Sequence, residues 1–327
     1  MALPLFDLPL EELRAYRSKA TAPDGLDDFW EEAIAEARAR AFEPTLERYR
    51  GEAYGALEVA DVTFSGAHGD PVRAWYLRPA GSGTAQLPCR VTFVGYGGGR
   101  DLPVAHAPYP ACGYATVVMD SRAQGGTWST GHTADPGAGS SGAEHPGVMT
   151  RGIADPRTYY YRRLYVDAVR AVDTAGGLPG VDAGRIAVAG RSQGGALALA
   201  VAALAPEAVR LCHADVPFLC DIERGMEVAH EPPYTELVTY LSVHPELEDA
   251  ARRTFRHVDV ALLAPRITAR TLIGVGLRDP ITPPSTVFAA FNAIDAEKEI
   301  EVFPYSGHDL PTSHAERQLA EFARELG

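Results

Sequence analysis

One serine in this chain stands where a nucleophile would have to stand. In "RIAVAGRSQGGALALAVAAL", which begins at Arg185, a strand-like run gives way to Gly190-Arg191-Ser192-Gln193-Gly194 and then to an Ala/Leu helix pattern. A bare G-x-S-x-G is a weak signal, and its place between strand and helix is what gives it weight. A sharp strand-to-helix turn needs small residues on both sides of the serine, because a Cβ there would strike the strand or the helix. The turn lifts the hydroxyl to the helix N-terminus, where free N–H groups and the dipole favour negative charge. A dinucleotide-binding turn would instead read G-x-G-x-x-G, which this segment does not. Ser192 is the candidate nucleophile.

A serine hydroxyl is too weakly acidic to attack alone, so it needs a base and a carboxylate that orients the base. Behind an elbow of this kind the partners follow in chain order, Asp or Glu and then His. "TLIGVGLRDPITPPS" offers Asp279 just past a late strand pattern; its other reading is an Asx turn ahead of Pro280. Asp259 and Asp295 fall in segments patterned as helix. "KEIEVFPYSGHDLPTSHAERQLAEFARELG" puts His308 between the last strand and the last helix, directly after a glycine. His314 falls inside that closing helix and is expected to face solvent.

Acyl transfer also needs N–H donors where the oxyanion develops, and losing one typically costs ~3–4 kcal/mol of transition-state stabilisation. One is expected from Gln193, the residue after the nucleophile. The other is expected from the loop after the third strand, "VTFVGYGGGR", through the N–H of Tyr96. The glycines that follow let backbone approach the substrate, so Tyr96 and Gly97 are the candidate substrate-binding positions. A flexible turn is the alternative reading of this loop.

These residues need a scaffold that brings distant segments together. Eight strand-like runs recur: "LEVADVTF", "VRAWYLRP", "CRVTFVG", "ATVVMD", "RIAVAG", "VRLCHAD", "TLIGVGL" and "KEIEVFP". The first two are separated by "SGAHGDP", which suits an antiparallel hairpin. The later runs are short and apolar and alternate with helical patterns, as parallel strands covered on both faces do. The pattern predicts an α/β-hydrolase fold: a mostly parallel eight-stranded sheet flanked by helices, with loop insertions near the active site. One domain over residues 1–327 is compatible with the length. Residues 1–50 read as a helical extension packed on the core. Residues 121–155 and 218–256 read as insertions near the strand ends that cover a site or form a subunit contact.

Composition removes several function classes. The net charge of -13 argues against nucleic acid, which needs clustered Lys and Arg, and against anionic membrane surfaces. Cys89, Cys112, Cys212 and Cys220 form no CxxC pair and sit in strand-like, apolar surroundings, which reads as buried reduced thiols rather than zinc ligands or disulfides. The N-terminus lacks a basic start followed by an apolar run, and no stretch approaches the ~18 apolar residues of a membrane helix. A cytoplasmic protein is expected.

With these residues in place, the chain resembles the acetyl xylan esterase / cephalosporin C deacetylase family, carbohydrate esterase family 7. The resemblance is carried by "TRGI", "YYYRRLYVDAVRAVD", "VDAGRIAVAGRSQGGALALAVAAL", "DVPFLCD", "PPSTVFAAFNAI" and "YSGHD". It implies a serine esterase that deacetylates acetylated xylo-oligosaccharides and cephalosporin C, with no metal or organic cofactor. Carried over by position, Ser192, Asp279 and His308 match the triad, and Tyr96 and Gln193 the oxyanion donors. It also implies an intracellular hexamer with active sites facing an internal cavity, the loop around 125–150 corresponding to a segment involved in assembly. Two positions depart from the family pattern: Arg122-Ala123-Gln124 stands for Arg-Gly-Gln, and His308-Asp309 for His-Glu. The other readings are a broader carboxylesterase, thioesterase or peptidase, and a non-catalytic receptor of the same fold. A receptor of that kind generally lacks a triad member, whereas all three residues are present here.

Overall fold

Strands that are apolar on both faces must be covered on both faces, and the central strands meet that demand. The structure, a computed structural model, describes residues 5–327. The expected helical extension and leaderless N-terminus begin in residues 1–4, which lie outside the described residues. The strands are β1 (Thr45–Arg48), β2 (Leu57–Ser65), β3 (Pro71–Pro79), β4 (Leu87–Phe93), β5 (Ala115–Met119), β6 (Val181–Arg191), β7 (Leu211–Asp215), β8 (Arg270–Gly276) and β9 (Lys298–Phe303). They form one nine-stranded sheet in the order β1-β2-β3-β5-β4-β6-β7-β8-β9. β2 and β3 make the antiparallel hairpin, β3 pairs antiparallel with β5, and from β5 through β9 every pairing is parallel.

All eight strand-like runs form strands, and this is the α/β-hydrolase arrangement. The ninth strand corrects the reading of residues 1–50 as helical throughout. β1 pairs antiparallel with β2 at the edge of the sheet, and its four residues are all exposed. A strand with no buried face carries no apolar alternation, and backbone hydrogen bonds alone define it.

The helices are α1 (Leu10–Ala15), α2 (Leu26–Ala39), α3 (Pro108–Ala111), α4 (Tyr160–Gly177), α5 (Gln193–Leu204), α6 (Ile222–Val228), α7 (Tyr234–Val243), α8 (Glu248–Val258), α9 (Val260–Leu263), α10 (Pro284–Ala293) and α11 (Thr312–Leu326). α4 and α5 cover one face of the sheet and α3 and α11 the other, where Phe322 and Leu326 pack on Ala187 and Leu211. α5 is apolar all round and buried from Gln193 to Ala203, as a helix sandwiched between sheet and other helices must be. α2 buries Leu26, Phe29, Trp30, Ala33, Ile34 and Ala37, an i, i+3, i+4, i+7 stripe that packs on α4. Residues 121–155 hold only short 3₁₀ turns and one isolated bridge, whereas 218–256 is largely α6, α7 and α8. No helix among the described residues is long and apolar enough to cross a membrane.

Candidate active site

The chain runs from β4 outward to β5 and then returns to place β6 on the other side of β4. Open α/β sheets bind ligands at such a switch point, outside the carboxyl ends of the strands. Pairing of Phe93 with Gly190 sets the loop after β4, with Tyr96, beside the turn after β6, with Ser192.

Ser192 has φ 58° and ψ -121°, a conformation that an L-residue holds only when its surroundings enforce it. They do. Its N–H donates to the Asp215 carbonyl at 2.8 Å. A Cβ at Gly190 would lie 2.3 Å from the Gly194 carbonyl, and one at Gly194 would lie 2.2 Å from the Phe93 oxygen. Both glycines of the motif are therefore required by packing. The serine is 8% exposed and lines a cleft of about 360 Å³ that His308 and Tyr96 also line.

Asp279 lies just beyond β8 and is fully buried. Its Oδ1 accepts the N–H groups of Ile281 and Thr282 at 2.9 and 3.0 Å. Its Oδ2 accepts the Thr282 hydroxyl at 2.8 Å and meets His308 Nδ1 at 2.7 Å. The Asx turn and the contact to histidine are thus both present, and the turn is what aims the carboxylate. With Nδ1–H donating to Asp279, the neutral ring presents a lone pair at Nε2. The His308 loop is held against β8, where a Cβ on Gly276 would lie 2.1 Å from the Gly307 oxygen. Ser192 Oγ and His308 share the cleft without a hydrogen bond between them, a contact that commonly tightens only around substrate.

The Tyr96 and Gln193 N–H groups have no acceptor among the described residues. Every other polar group of Tyr96 is engaged. Its hydroxyl donates to Glu236 at 2.8 Å and accepts the Gly147 N–H at 3.0 Å, and its carbonyl accepts Trp128 Nε1–H at 2.8 Å. Burial and the neighbouring Glu236 charge push the phenol well above its ordinary value, so it stays protonated. The Gln193 side chain is also buried, donating to the Val94 carbonyl at 3.2 Å and accepting from Gln124 and Tyr161.

Gly97, the other candidate substrate-binding position, is not among the residues that line the cleft. Its φ of +76° turns the backbone aside, its N–H donates to Gln124 Oε1 at 2.7 Å, and its carbonyl accepts the Thr127 hydroxyl. The glycine run is a packing device. A Cβ at Gly98 would lie 2.2 Å from the Trp128 ring, and one at Gly99 would lie 2.2 Å from the Gly131 backbone.

His314 corrects a second expectation. Its side chain is 1% exposed and bonded to Asp215 and Glu301. Sequence reasoning also missed the walls of the cleft: Trp128, Pro232, Pro233 and Ile281. The first three lie in the two segments marked as insertions, and that unusual loop length was the only signal for them.

The two departures have concrete surroundings. Ala123 is buried with φ 53°, a left-handed conformation in which glycine would be unstrained. It is flanked by Arg122, a buried cation that binds Asp167 through two bonds of 2.6 and 2.7 Å and Asp135 at 3.0 Å. That cluster pins the turn from which Gln124 reaches across to Gly97 and Gln193. Asp309 is exposed and pairs with Arg191 at 2.5 Å.

The arrangement has the parts for acyl transfer: a strained serine, an oriented imidazole, and two uncommitted N–H groups at adjacent loops. Comparison with known proteins points the same way. The family model described as acetyl xylan esterase (AXE1) matches residues 3–326. The fold superposes on an acetyl xylan esterase from Paenibacillus sp. R4 with a TM-score of 0.90 at 35% identity, over 98% of this chain and 100% of that one. An acetyl xylan esterase from Thermoanaerobacterium sp. JW/SL YS485 gives 0.88 at 31% identity, with the same coverage. Acetyl esterase Axe7A of Xylanibacter ruminicola is 35% identical over 164 residues, which is half of this chain and 36% of that protein's length. An acylaminoacyl peptidase from Pyrococcus horikoshii, at 14% identity and a TM-score of 0.61, shares the fold alone. Matched over nearly its whole length by the family model, and by two relatives above 30% identity, the chain belongs to the acetyl xylan esterase family of carboxylic ester hydrolases.

Proposed function

We propose that the protein is a serine esterase that removes acetyl groups from acetylated xylo-oligosaccharides through an acyl-enzyme on Ser192. The observation that carries this reading is the 2.7 Å contact of His308 Nδ1 with buried Asp279, beside Ser192 on the same cleft. Ser192 Oγ attacks the acetyl carbonyl as His308 Nε2 takes its proton, and Asp279 stabilises the imidazolium. The Tyr96 and Gln193 N–H groups receive the oxyanion. Collapse breaks the bond to the sugar oxygen, which leaves with the proton held by His308. Water, deprotonated by the same imidazole, then attacks the acyl-enzyme and releases acetate.

The acetoxymethyl ester of cephalosporin C presents the same acyl group and is proposed as a second substrate. The aromatic and proline walls of a cleft of about 360 Å³ support a preference for short acyl groups. A panel of acetyl, butyryl and octanoyl esters, acetylated xylo-oligosaccharide, cephalosporin C and a peptide amide tests this. Acetyl esters should turn over fastest, and a preference for octanoyl ester or amide would overturn the deacetylase reading.

The proposal extends to a homo-hexamer in the cytoplasm. The free thiols support a reducing compartment: Cys89, Cys212 and Cys220 are buried, whereas Cys112, just past α3 rather than in a strand, is exposed and not buried as expected. The resemblance of the chain to the family supports the assembly. Light scattering on the eluting species measures the mass directly, and a monomer would contradict the hexamer.

A further inference from the structure

We propose that His314 is a positioning residue for the esterase reaction, a buried imidazolium that ties the strand end holding Ser192 to the loop carrying His308. The proposal rests on the esterase reading above. Asp215, the last residue of β7, accepts the Ser192 N–H through its backbone oxygen at 2.8 Å. Its side-chain Oδ1 meets His314 Nε2 at 2.8 Å and accepts from Gln318 Nε2 at 2.8 Å. His314 Nδ1 meets Glu301 Oε2, on β9, at 2.6 Å. His314 lies in the first turn of α11, which starts directly after the His308 loop.

Ionised carboxylates only accept hydrogen bonds, so a ring with one at each nitrogen must donate from both and carry a charge. Burial pulls the His314 pKa down, but the hydrogen bonds and charges of Asp215 and Glu301 outweigh it and raise the pKa above the ordinary value. Gln318 Nε2 lies 3.3 Å from His314 Nε2, and both nitrogens are directed at the one Asp215 Oδ1 acceptor. Arg317 lies 3.3 Å from the same Glu301 carboxylate and also pairs with Glu299. The Phe303 ring packs edge-on. β8 contributes Gly274, where a Cβ would lie 2.6 Å from His314 Nε2, so the strand leaves room for the ring.

The charge does not serve the helix. A cation in the first turn opposes the helix dipole, so the imidazolium is held there by the carboxylates. Its ring bonds run to Asp215, the end of β7 that holds the Ser192 N–H, and to Glu301 on β9, the strand from which the chain enters the His308 loop before α11. When the ring loses its proton, one nitrogen turns a lone pair toward a carboxylate, and the connection breaks on that side.

The test compares pH–rate profiles of the parent, H314Q, E301Q and S192A on an activated acetate ester. The parent should lose kcat on an alkaline limb. H314Q should lose that limb and show kcat reduced about tenfold or more, with KM within about twofold. E301Q should move the limb to lower pH by about one unit, because it removes one of the two stabilising charges. If H314Q does not fold, E301Q decides. A folded H314Q with parent kcat, or with the parent alkaline limb retained, overturns the positioning role, as does an E301Q limb that stays in place. Those results with an inactive S192A leave the esterase reading intact, whereas an active S192A removes that reading itself.

Discussion

Gln124 and Gln193 are joined side chain to side chain: Gln124 Nε2 donates to Gln193 Oε1 at 2.9 Å, while Gln124 Oε1 accepts the Gly97 N–H at 2.7 Å. Gly97 follows Tyr96, so one buried amide links the two segments whose N–H groups are proposed to receive the oxyanion. Neither loop can shift without disturbing the other.

Replacing Gln124 by Ala would leave the Gly97 N–H buried without a partner, at about 1–3 kcal/mol, and would remove one of the two donors to Gln193 Oε1, leaving Tyr161 as the other. Urea unfolding should register that loss. Steady-state kinetics should show kcat down about tenfold or more, because donor placement rather than substrate affinity is disturbed. A Q124A enzyme with parent kcat would show that the amide does not set the donors.

Ala123 invites the opposite change. Its left-handed backbone (φ 53°) costs an L-residue about 1–2 kcal/mol, and part of that is returned by the greater freedom of glycine in the unfolded chain. A123G should gain about 0.5–1 kcal/mol, read as a higher thermal midpoint with unchanged kcat/KM. A lower midpoint would mean that the Ala123 methyl packs better than its backbone is strained.

Asp309 should matter little to stability. It is 88% exposed, and its partner Arg191 is 47% exposed; such surface pairs contribute about 0–1 kcal/mol. D309A is expected to keep the thermal midpoint of the parent and kcat/KM within about threefold. A large loss of kcat would assign this carboxylate a part in holding His308.

Acid stability should depend on Glu321. Burial alone would raise its pKa, but hydrogen bonds from His213 and Arg270 and the Arg270 charge bring it down to about 2, against an ordinary 4.5. A carboxyl lowered on folding contributes stability above its unfolded value and loses it as pH falls through the folded one. The stability gap between parent and E321Q should therefore be widest above pH 4.5 and narrow toward pH 2. Urea midpoints across that range check this, and a constant gap would refute it.

Much of the site was readable in the chain because its parts obey local rules. The glycines around Ser192 are set by a turn, and Asp279 and His308 follow strands whose apolar runs are unambiguous. The structure brings Asp279 and His308 into contact and puts Ser192 on the same cleft, and chain order had led to that grouping. Gln124 was not readable as a link, since its partners belong to segments that meet only in the folded sheet. His314 was misread for a more specific reason. The inward face of α11 runs His314, Gln318, Glu321, Phe322 and Leu326, a proper i, i+4, i+7, i+8 stripe written largely in polar residues. Hydrophobic periodicity cannot see a buried face of that kind. β1 escaped because an exposed edge strand has no buried side to betray it.

The central claim is that Ser192 carries the acyl group, and turnover of an activated acetate ester by S192A tests it most directly. With the fold verified by an unchanged thermal midpoint, kcat should fall by about 10⁴-fold or more. An S192A enzyme that hydrolyses the ester at the parent rate would contradict the account.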